Sequence, residues 1–178
     1  ERFSRENIEL AGSKTKPFRV WLENWEVTGD STKDHFPQTI RAKTEEVELE
    51  LELTSLKPFV LQGNQGHSQK GRRPGNASYY YSFTRMKTQG VLKIQGTPYQ
   101  VQGHSWMDRE WSTSALEKGQ IGWDWFALQL SDGREIMLYQ IRLENGKPDS
   151  TSKGVVVDQN GKTTPLDWTD LKLEVLGN

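Results

Sequence analysis

The segment Val47-Glu48-Leu49-Glu50-Leu51-Glu52-Leu53 alternates apolar and acidic residues without a break. Successive side chains of an extended strand point to opposite faces, so its four apolar residues line one face and its three glutamates the other. Wound as a helix, the same leucines would scatter around the circumference. The segment therefore predicts a strand with one wet face, the habit of antiparallel sheets. The runs Arg19–Val27, Ser78–Met86, Gly90–Gln95, Tyr99–Trp106, Trp123–Leu130, Arg134–Arg142, Gly154–Asp158 and Leu171–Leu176 read the same way. They are rich in Val, Ile, Tyr, Phe and Trp, the side chains that fit a pleated surface.

Turn residues separate these runs at short intervals. Asp132-Gly133 and Asn160-Gly161 each predict a tight hairpin, and Gly96-Thr97-Pro98 and Asn145-Gly146 add further breaks. Helix signals are poor: Ser4–Leu10 and Ser112–Glu117 are each long enough only for a short turn of helix. The stretch Gln62–Asn76, with four Gly, one Pro and the basic residues Lys70, Arg72 and Arg73, predicts a long loop, of a kind that is often functional or mobile. The chain reads as all-β, with about nine or ten strands in a meander that closes as a barrel or packs as a sandwich.

Composition narrows the function. Seven Trp, five Tyr and six Phe offset a hydrophobic content of only 33%, because each ring carries a large apolar area into a core. Zero Cys removes disulfides, thiolate metal sites and cysteine nucleophiles. A net charge of −1 argues against a nucleic-acid partner. The cluster Lys70-Gly71-Arg72-Arg73 is too short for one and reads as a solvated loop. His35, His67 and His104 lie far apart, so no metal site is expected, and no phosphate-cradling glycine loop or other cofactor motif is present. Asn76-Ala77-Ser78 matches the glycosylation triplet, a weak signal by itself. The chain opens at Glu1 rather than Met and reads as processed, trimmed or excised.

Two stretches concentrate chemistry. Gly103-His104-Ser105-Trp106-Met107-Asp108-Arg109-Glu110-Trp111 holds an imidazole, two carboxylates, a guanidinium and two indoles. On a strand His104 and Trp106 share a face, a pairing suited to a cavity lining. His104 is a candidate proton carrier, and Asp108 a candidate to orient it or to act as the acid. The same Asp-Arg-Glu trio equally serves to pair charges and fix a loop. Gly122-Trp123-Asp124-Trp125-Phe126 puts Trp123 and Trp125 on one face, either as a wall for an apolar ligand or as a core patch. In Ser78-Tyr79-Tyr80-Tyr81-Ser82-Phe83, Tyr79, Tyr81 and Phe83 share one face and Tyr80 takes the other. A Ser–His–Asp hydrolase is disfavoured, because Met107 stands where a nucleophile elbow needs its final glycine.

Trp21-Leu22-Glu23-Asn24-Trp25, Leu56-Lys57-Pro58, Gly75–Ser82, Ser105–Trp111 and Gly122–Leu130 together resemble the AttH-like proteins. That group of bacterial "predicted secreted hydrolases" belongs with the carotenoid 1,2-hydratase (hydroxyneurosporene synthase) superfamily. The resemblance implies an antiparallel lipocalin-like β-barrel, with one barrel half over residues 1–145 and the start of a second over 146–178. It implies export to the periplasm or beyond, with possible membrane association through an N-terminal anchor. It further implies a missing second half, in the same protein or in a partner chain. The hydratases use a His and a Trp two residues apart, the spacing of His104 and Trp106; Asp108 and Asp124 are candidates for the acidic partner.

Three functions follow as expectations. The first is a carrier of a large apolar ligand, lipid-like or polyene-like, bound by Trp106, Trp111, Trp123, Trp125, Tyr79 and Tyr81. The second is a hydratase, isomerase or cyclase that protonates a double bond from His104 or Asp108 and stabilises the cation on indole faces. The third is a partner-binding module of an envelope or transporter assembly. Binding ranks first because no complete catalytic constellation is legible.

Overall fold

The alternating runs become two antiparallel sheets in the computed structural model, which describes residues 9–30, 35–112, 116–170, 172–174 and 176. The strands in chain order are β1 (Ala11–Thr15), β2 (Phe18–Leu22), β3 (Trp25–Gly29), β4 (Gln38–Lys43), β5 (Val47–Ser55), β6 (Val60–Leu61) and β7 (His67–Gln69). They continue with β8 (Ala77–Ile94), β9 (Thr97–Ser112), β10 (Gln120–Gln129), β11 (Glu135–Leu143), β12 (Lys153–Val157) and β13 (Thr163–Asp167). One sheet runs β1-β2-β3-β4-β5-β8-β6, with β7 and β9 also paired to β8; the other runs β10-β11-β12-β13. Among the described residues no helix is long and apolar enough to cross a membrane.

The chain divides into two compact units, Glu1–Leu56 with Met86–Ser105 and Lys57–Arg85 with Trp106–Asn178. In the first unit, register aligns like with like. Val20, Val27, Ile40 and Leu51 lie directly opposite one another across β2 to β5 and form one apolar row. The neighbouring row holds Glu26, Arg41 and Glu50. Arg41 bonds Glu50 at 2.9 Å and reaches Glu26 at 3.5 Å. Lys43 and Lys93 flank Glu48 at 3.2 and 3.3 Å. The three glutamates of β5 thus occupy the polar face that their spacing predicts.

The second unit holds a core of Val60, Tyr80, Met137, Tyr139, Ile141, Val155 and Val157, with Trp106 packed against it. Its β10–β11 hairpin turns at Asp132-Gly133 and its β12–β13 hairpin at Asn160-Gly161, both as expected. The strands drawn from residues 146–178 join the same sheet as β10 and β11.

Four expectations change. Arg19–Val27 is two strands, because Leu22 pairs with Trp25 around Glu23-Asn24 and Glu23 takes a φ of 53°. A two-residue turn keeps the apolar alternation in phase, so the pattern hides it. Ser78–Met86 and Gly90–Gln95 are one strand, β8. Gly90 pairs with Leu51, and a Cβ there would fall 2.1 Å from the Glu50 carbonyl oxygen, so this glycine serves a close approach and not a turn. Gln62–Asn76 is no featureless loop, since it contains β7 paired to β8. The described residues of Leu171–Leu176 are irregular; a 3-10 turn at Trp168–Asp170 ends β13, and Asp170 Oδ2 accepts the Asp167 N–H at 2.9 Å. Most of Ser4–Leu10 and the middle of Ser112–Glu117 lie outside the described residues.

Candidate ligand cleft in the second unit

Alternation along β8 buries an unusual row. Ser78, Tyr80, Ser82 and Thr84 face inward, while Tyr79 and Tyr81 take the other face. Buried polar groups require partners, and β9 and β11 supply them. Ser78 donates to Glu110 Oε1, Ser82 donates to Asp108 Oδ1, and Thr84 donates to Glu135 Oε2 at 3.3 Å. Trp106 Nε1 donates to the same Asp108 oxygen at 2.9 Å. Gln62 Nε2 donates to Ser82 Oγ at 2.9 Å, and Trp125 Nε1 donates to the Tyr80 hydroxyl at 3.2 Å. Asp108 therefore collects donors from β8 and β9. Burial, and next the Asp108 charge, push the Tyr80 phenol above the ordinary tyrosine range, which keeps it a neutral hydroxyl.

Lys70 completes the polar floor. Its ammonium lies 2.9 Å from Glu110 Oε1, 4.0 Å from the Tyr139 ring centroid and 5.2 Å from that of Tyr80. Burial lowers its pKa below the usual lysine value, and Glu110 opposes that shift. The reading of Lys70 as part of a solvated loop is thus overturned: its side chain is only 20% exposed. The loop folds back because Glu117 accepts the Arg72 N–H at 3.0 and 3.1 Å and the Asn76 amide at 3.3 Å. Asn76 is buried there, which removes the glycosylation triplet from the surface.

Above this floor lies a cleft of about 510 Å³, walled by Trp111, Leu116, Trp123, Trp125 and Ile141 and floored by Lys70, Ser78, Glu110 and Tyr139. Trp123 is 57% exposed and Trp125 44%. Both project from one face of β10 and stay about half exposed, so they are surface aromatics and not a buried core patch.

The structure sorts the expected site residues into four places. Trp111, Trp123 and Trp125 share the cleft, with Trp106 and Asp108 in the polar cluster beneath it. Tyr79 and Tyr81 take the opposite face of β8, where both contact the Trp111 ring at 5.7 and 6.4 Å between centroids and form an exposed aromatic cluster with Phe59. Asp124 points away from Trp123 and Trp125 and pairs with Arg142. His104 is exposed and belongs to the first unit. Among the described residues no cluster of three His, Asp or Glu could hold a metal ion. Sequence reasoning missed Lys70, Glu110, Tyr80, Tyr139, Ser78, Ser82 and Gln62 as site residues. The available signal was the even-numbered polar row of β8, legible as soon as Tyr80 is set opposite Tyr79 and Tyr81.

A family model described as AttH-like matches residues 1–178. No curated protein matches the chain significantly. A solved structure from Nitrosomonas europaea, provisionally described as AttH, superposes with a TM-score of 0.80 at 30% identity, covering 92% of this chain and 49% of that one. Kievitone hydratase from Nectria haematococca superposes with a TM-score of 0.63 at 19% identity, covering 85% of this chain and 46% of its own, a likeness of fold. The chain thus spans about half the length of these solved structures.

Proposed function

The chain belongs to the AttH-like family, and from that premise we propose that its second unit binds a large apolar ligand, lipid-like or polyene-like, in the indole-walled cleft. The observation that carries the reading is the pair Trp123 and Trp125, exposed side by side over a cleft of about 510 Å³. That volume lies within the range of small-molecule sites, roughly 300–1,000 Å³. A ligand that removes about 100 Å² of indole surface from water gains at most about 2.5 kcal/mol, or roughly 70-fold in Kd. The polar floor of Lys70, Glu110 and Ser78 would hold a polar end group, and the apolar body would lie along the walls. Export from the cytoplasm is part of the proposal, as is the activity of the whole protein, since the solved relatives are about twice as long.

Calorimetric titration with retinol and with oleate tests the reading. Saturable binding by the wild type, weakened tenfold or more in Trp123→Ala and Trp125→Ala and kept in His104→Ala, supports it. A folded wild type that binds neither probe, or variants that bind as the wild type does, would overturn it.

A second reading is favoured by the Asp108 cluster. A carboxylate fed by Ser82 and Trp106 beneath an apolar cleft suits a proton-handling group for hydration or isomerisation of a double bond, with indole faces above to stabilise a cation. The likeness to a hydratase fold agrees with this but does not supply the substrate. Under this reading Asp108→Asn abolishes turnover of a bound polyene and leaves its affinity intact. Under the carrier reading no turnover is seen in either protein.

A further inference from the structure

Lys70 follows β7 directly and reaches the floor of the indole-walled cleft. Its backbone is pinned on both sides. The N–H donates to the Asn76 carbonyl at 2.9 Å, and the carbonyl accepts from Gln120 Nε2 at 3.0 Å and from the Thr151 hydroxyl at 3.1 Å. The amine end lies among other residues that line the cleft. Nζ is 2.9 Å from Glu110 Oε1, the oxygen to which Ser78 also donates, and 4.0 Å from the Tyr139 ring centroid. With its side chain 20% exposed, Lys70 is neither fully solvated nor sealed.

A lysine held for structure looks different in the same unit. Lys57 is 6% exposed and gives its protons to three oxygens, those of Gly133, Glu135 and Asp158. Lys70 instead faces one carboxylate and two aromatic rings, a setting that suits an iminium as well as an ammonium. Burial lowers its pKa, which raises the share of unprotonated, nucleophilic amine above that of an exposed lysine. Glu110 and, farther off, Asp108 both act on this one cation. An anionic end group therefore meets net negative charge at the floor, whereas a neutral carbonyl does not.

Taking the cleft as an apolar ligand site, we infer that Lys70 binds an apolar aldehyde covalently as a Schiff base, with Glu110 as proton partner and counterion. Glu110 takes a proton from the ammonium, and the free amine attacks the carbonyl carbon. A C–N bond forms while the C=O π pair moves to oxygen, which takes a proton from the attacking nitrogen. Glu110 then returns its proton to that hydroxyl, which leaves as water as the nitrogen lone pair closes C=N. Ammonium and aldehyde become iminium and water with no change in charge or oxidation state, and the pair with the Glu110 carboxylate is restored.

The test incubates the whole chain with one equivalent of all-trans-retinal, reduces with sodium borohydride and maps the retinyl group by peptide mass spectrometry. Labelling of Lys70 is expected to exceed that of the exposed Lys172 by about tenfold or more. Lys70→Arg keeps a cation and deletes the nucleophile; it is expected to lose the label while its circular dichroism spectrum stays that of the wild type. Glu110→Gln deletes the counterion and is expected to leave the imine unprotonated at neutral pH, read before reduction as a shift of its absorbance to shorter wavelength. Equal labelling of Lys70 and Lys172 overturns the inference, and an unshifted band overturns the role of Glu110. Retinol has no carbonyl and separates the two readings. Retinol binding without Lys70 labelling overturns the Schiff base and leaves the cleft reading standing. Selective labelling of Lys70 in a protein that binds neither retinol nor oleate supports the Schiff base against that reading.

Discussion

Replacing Glu135 by Gln removes a buried negative charge that two cations share. The Glu135 side chain is fully buried, and those of Lys57 and Arg85 are only 6% and 14% exposed. Lys57 Nζ bonds Glu135 Oε2 at 2.7 Å and also the carbonyl oxygens of Gly133 (2.6 Å) and Asp158 (2.7 Å). Arg85 bonds the other carboxylate oxygen and the carbonyls of Leu130 (3.0 Å) and Arg134 (3.3 Å). The cluster thus ties β8 and the segment before β6 to both hairpin turns of the four-stranded sheet. Breaking a buried pair from one side costs about 3–5 kcal/mol, because the remaining charge is left without compensation. Each cation here keeps two carbonyl acceptors, which sets the expectation for Glu135→Gln at the lower end, about 3 kcal/mol. With a urea m-value of about 2 kcal/mol/M, the midpoint of the second unit falls by about 1.5 M, read by circular dichroism. Replacing all three by Met removes every charge together and is expected to restore much of the loss. A shift below about 0.5 M for Glu135→Gln would refute the reasoning, as it would mean that solvent reaches the cluster and screens it.

Further expectations follow from the same unit. Gly71→Ala places a Cβ 2.1 Å from Asn76 Nδ2 and 2.5 Å from Glu117 Oε2; it is expected to cost about 1–3 kcal/mol and to weaken ligand binding by displacing Lys70, measured by urea melts and titration in parallel. Burial alone would raise the pKa of Asp149, but the Thr151 N–H and hydroxyl and the Gln120 amide together hold it below the usual carboxylate range. Its stabilisation is therefore present above the ordinary Asp value and lost as pH falls through the lowered one, so Asp149→Asn flattens the acid limb of a stability–pH curve. Lys70 acts in the same sense but in the alkaline range: with a folded pKa below the unfolded value, stability rises as pH climbs from the folded value toward the ordinary lysine value. Lys70→Met is expected to erase that alkaline rise, and an identical slope in both proteins would count against a buried ammonium. Trp125→Phe keeps an aromatic wall and deletes the donor to Tyr80; a threefold to tenfold loss of ligand affinity is expected, smaller than for Trp125→Ala.

Much of the architecture was legible because strand pairing obeys a local rule. The Leu–Glu alternation of β5 states its two faces outright, and Asp132-Gly133 and Asn160-Gly161 mark hairpins by chemistry that few other residues satisfy. The same rule placed Trp123 with Trp125 and set Tyr80 against Tyr79 and Tyr81. It failed where a local signal has two meanings. Gly90 could mean a turn or a close approach, and only the Glu50 carbonyl opposite it decides. The Glu23-Asn24 turn was hidden because two residues leave the phase of the alternation unchanged.

The candidate site was legible in its apolar half only. Indoles on one strand announce themselves by type and parity, whereas the polar floor joins residues from distant parts of the chain. Lys70 and Glu110, or Gln62, Ser82 and Asp108, share no spacing that marks them as partners. A lysine in a glycine-rich basic stretch reads as solvated, since charge alone predicts exposure. Its burial between the Tyr80 and Tyr139 rings depends on Glu117 drawing the loop inward. Sequence by itself thus determined which face of each strand a side chain would take, a property of the local backbone. Tertiary structure alone decided which faces met and which buried hydroxyls found a carboxylate, because hydrogen-bond satisfaction is settled among groups that only folding brings together.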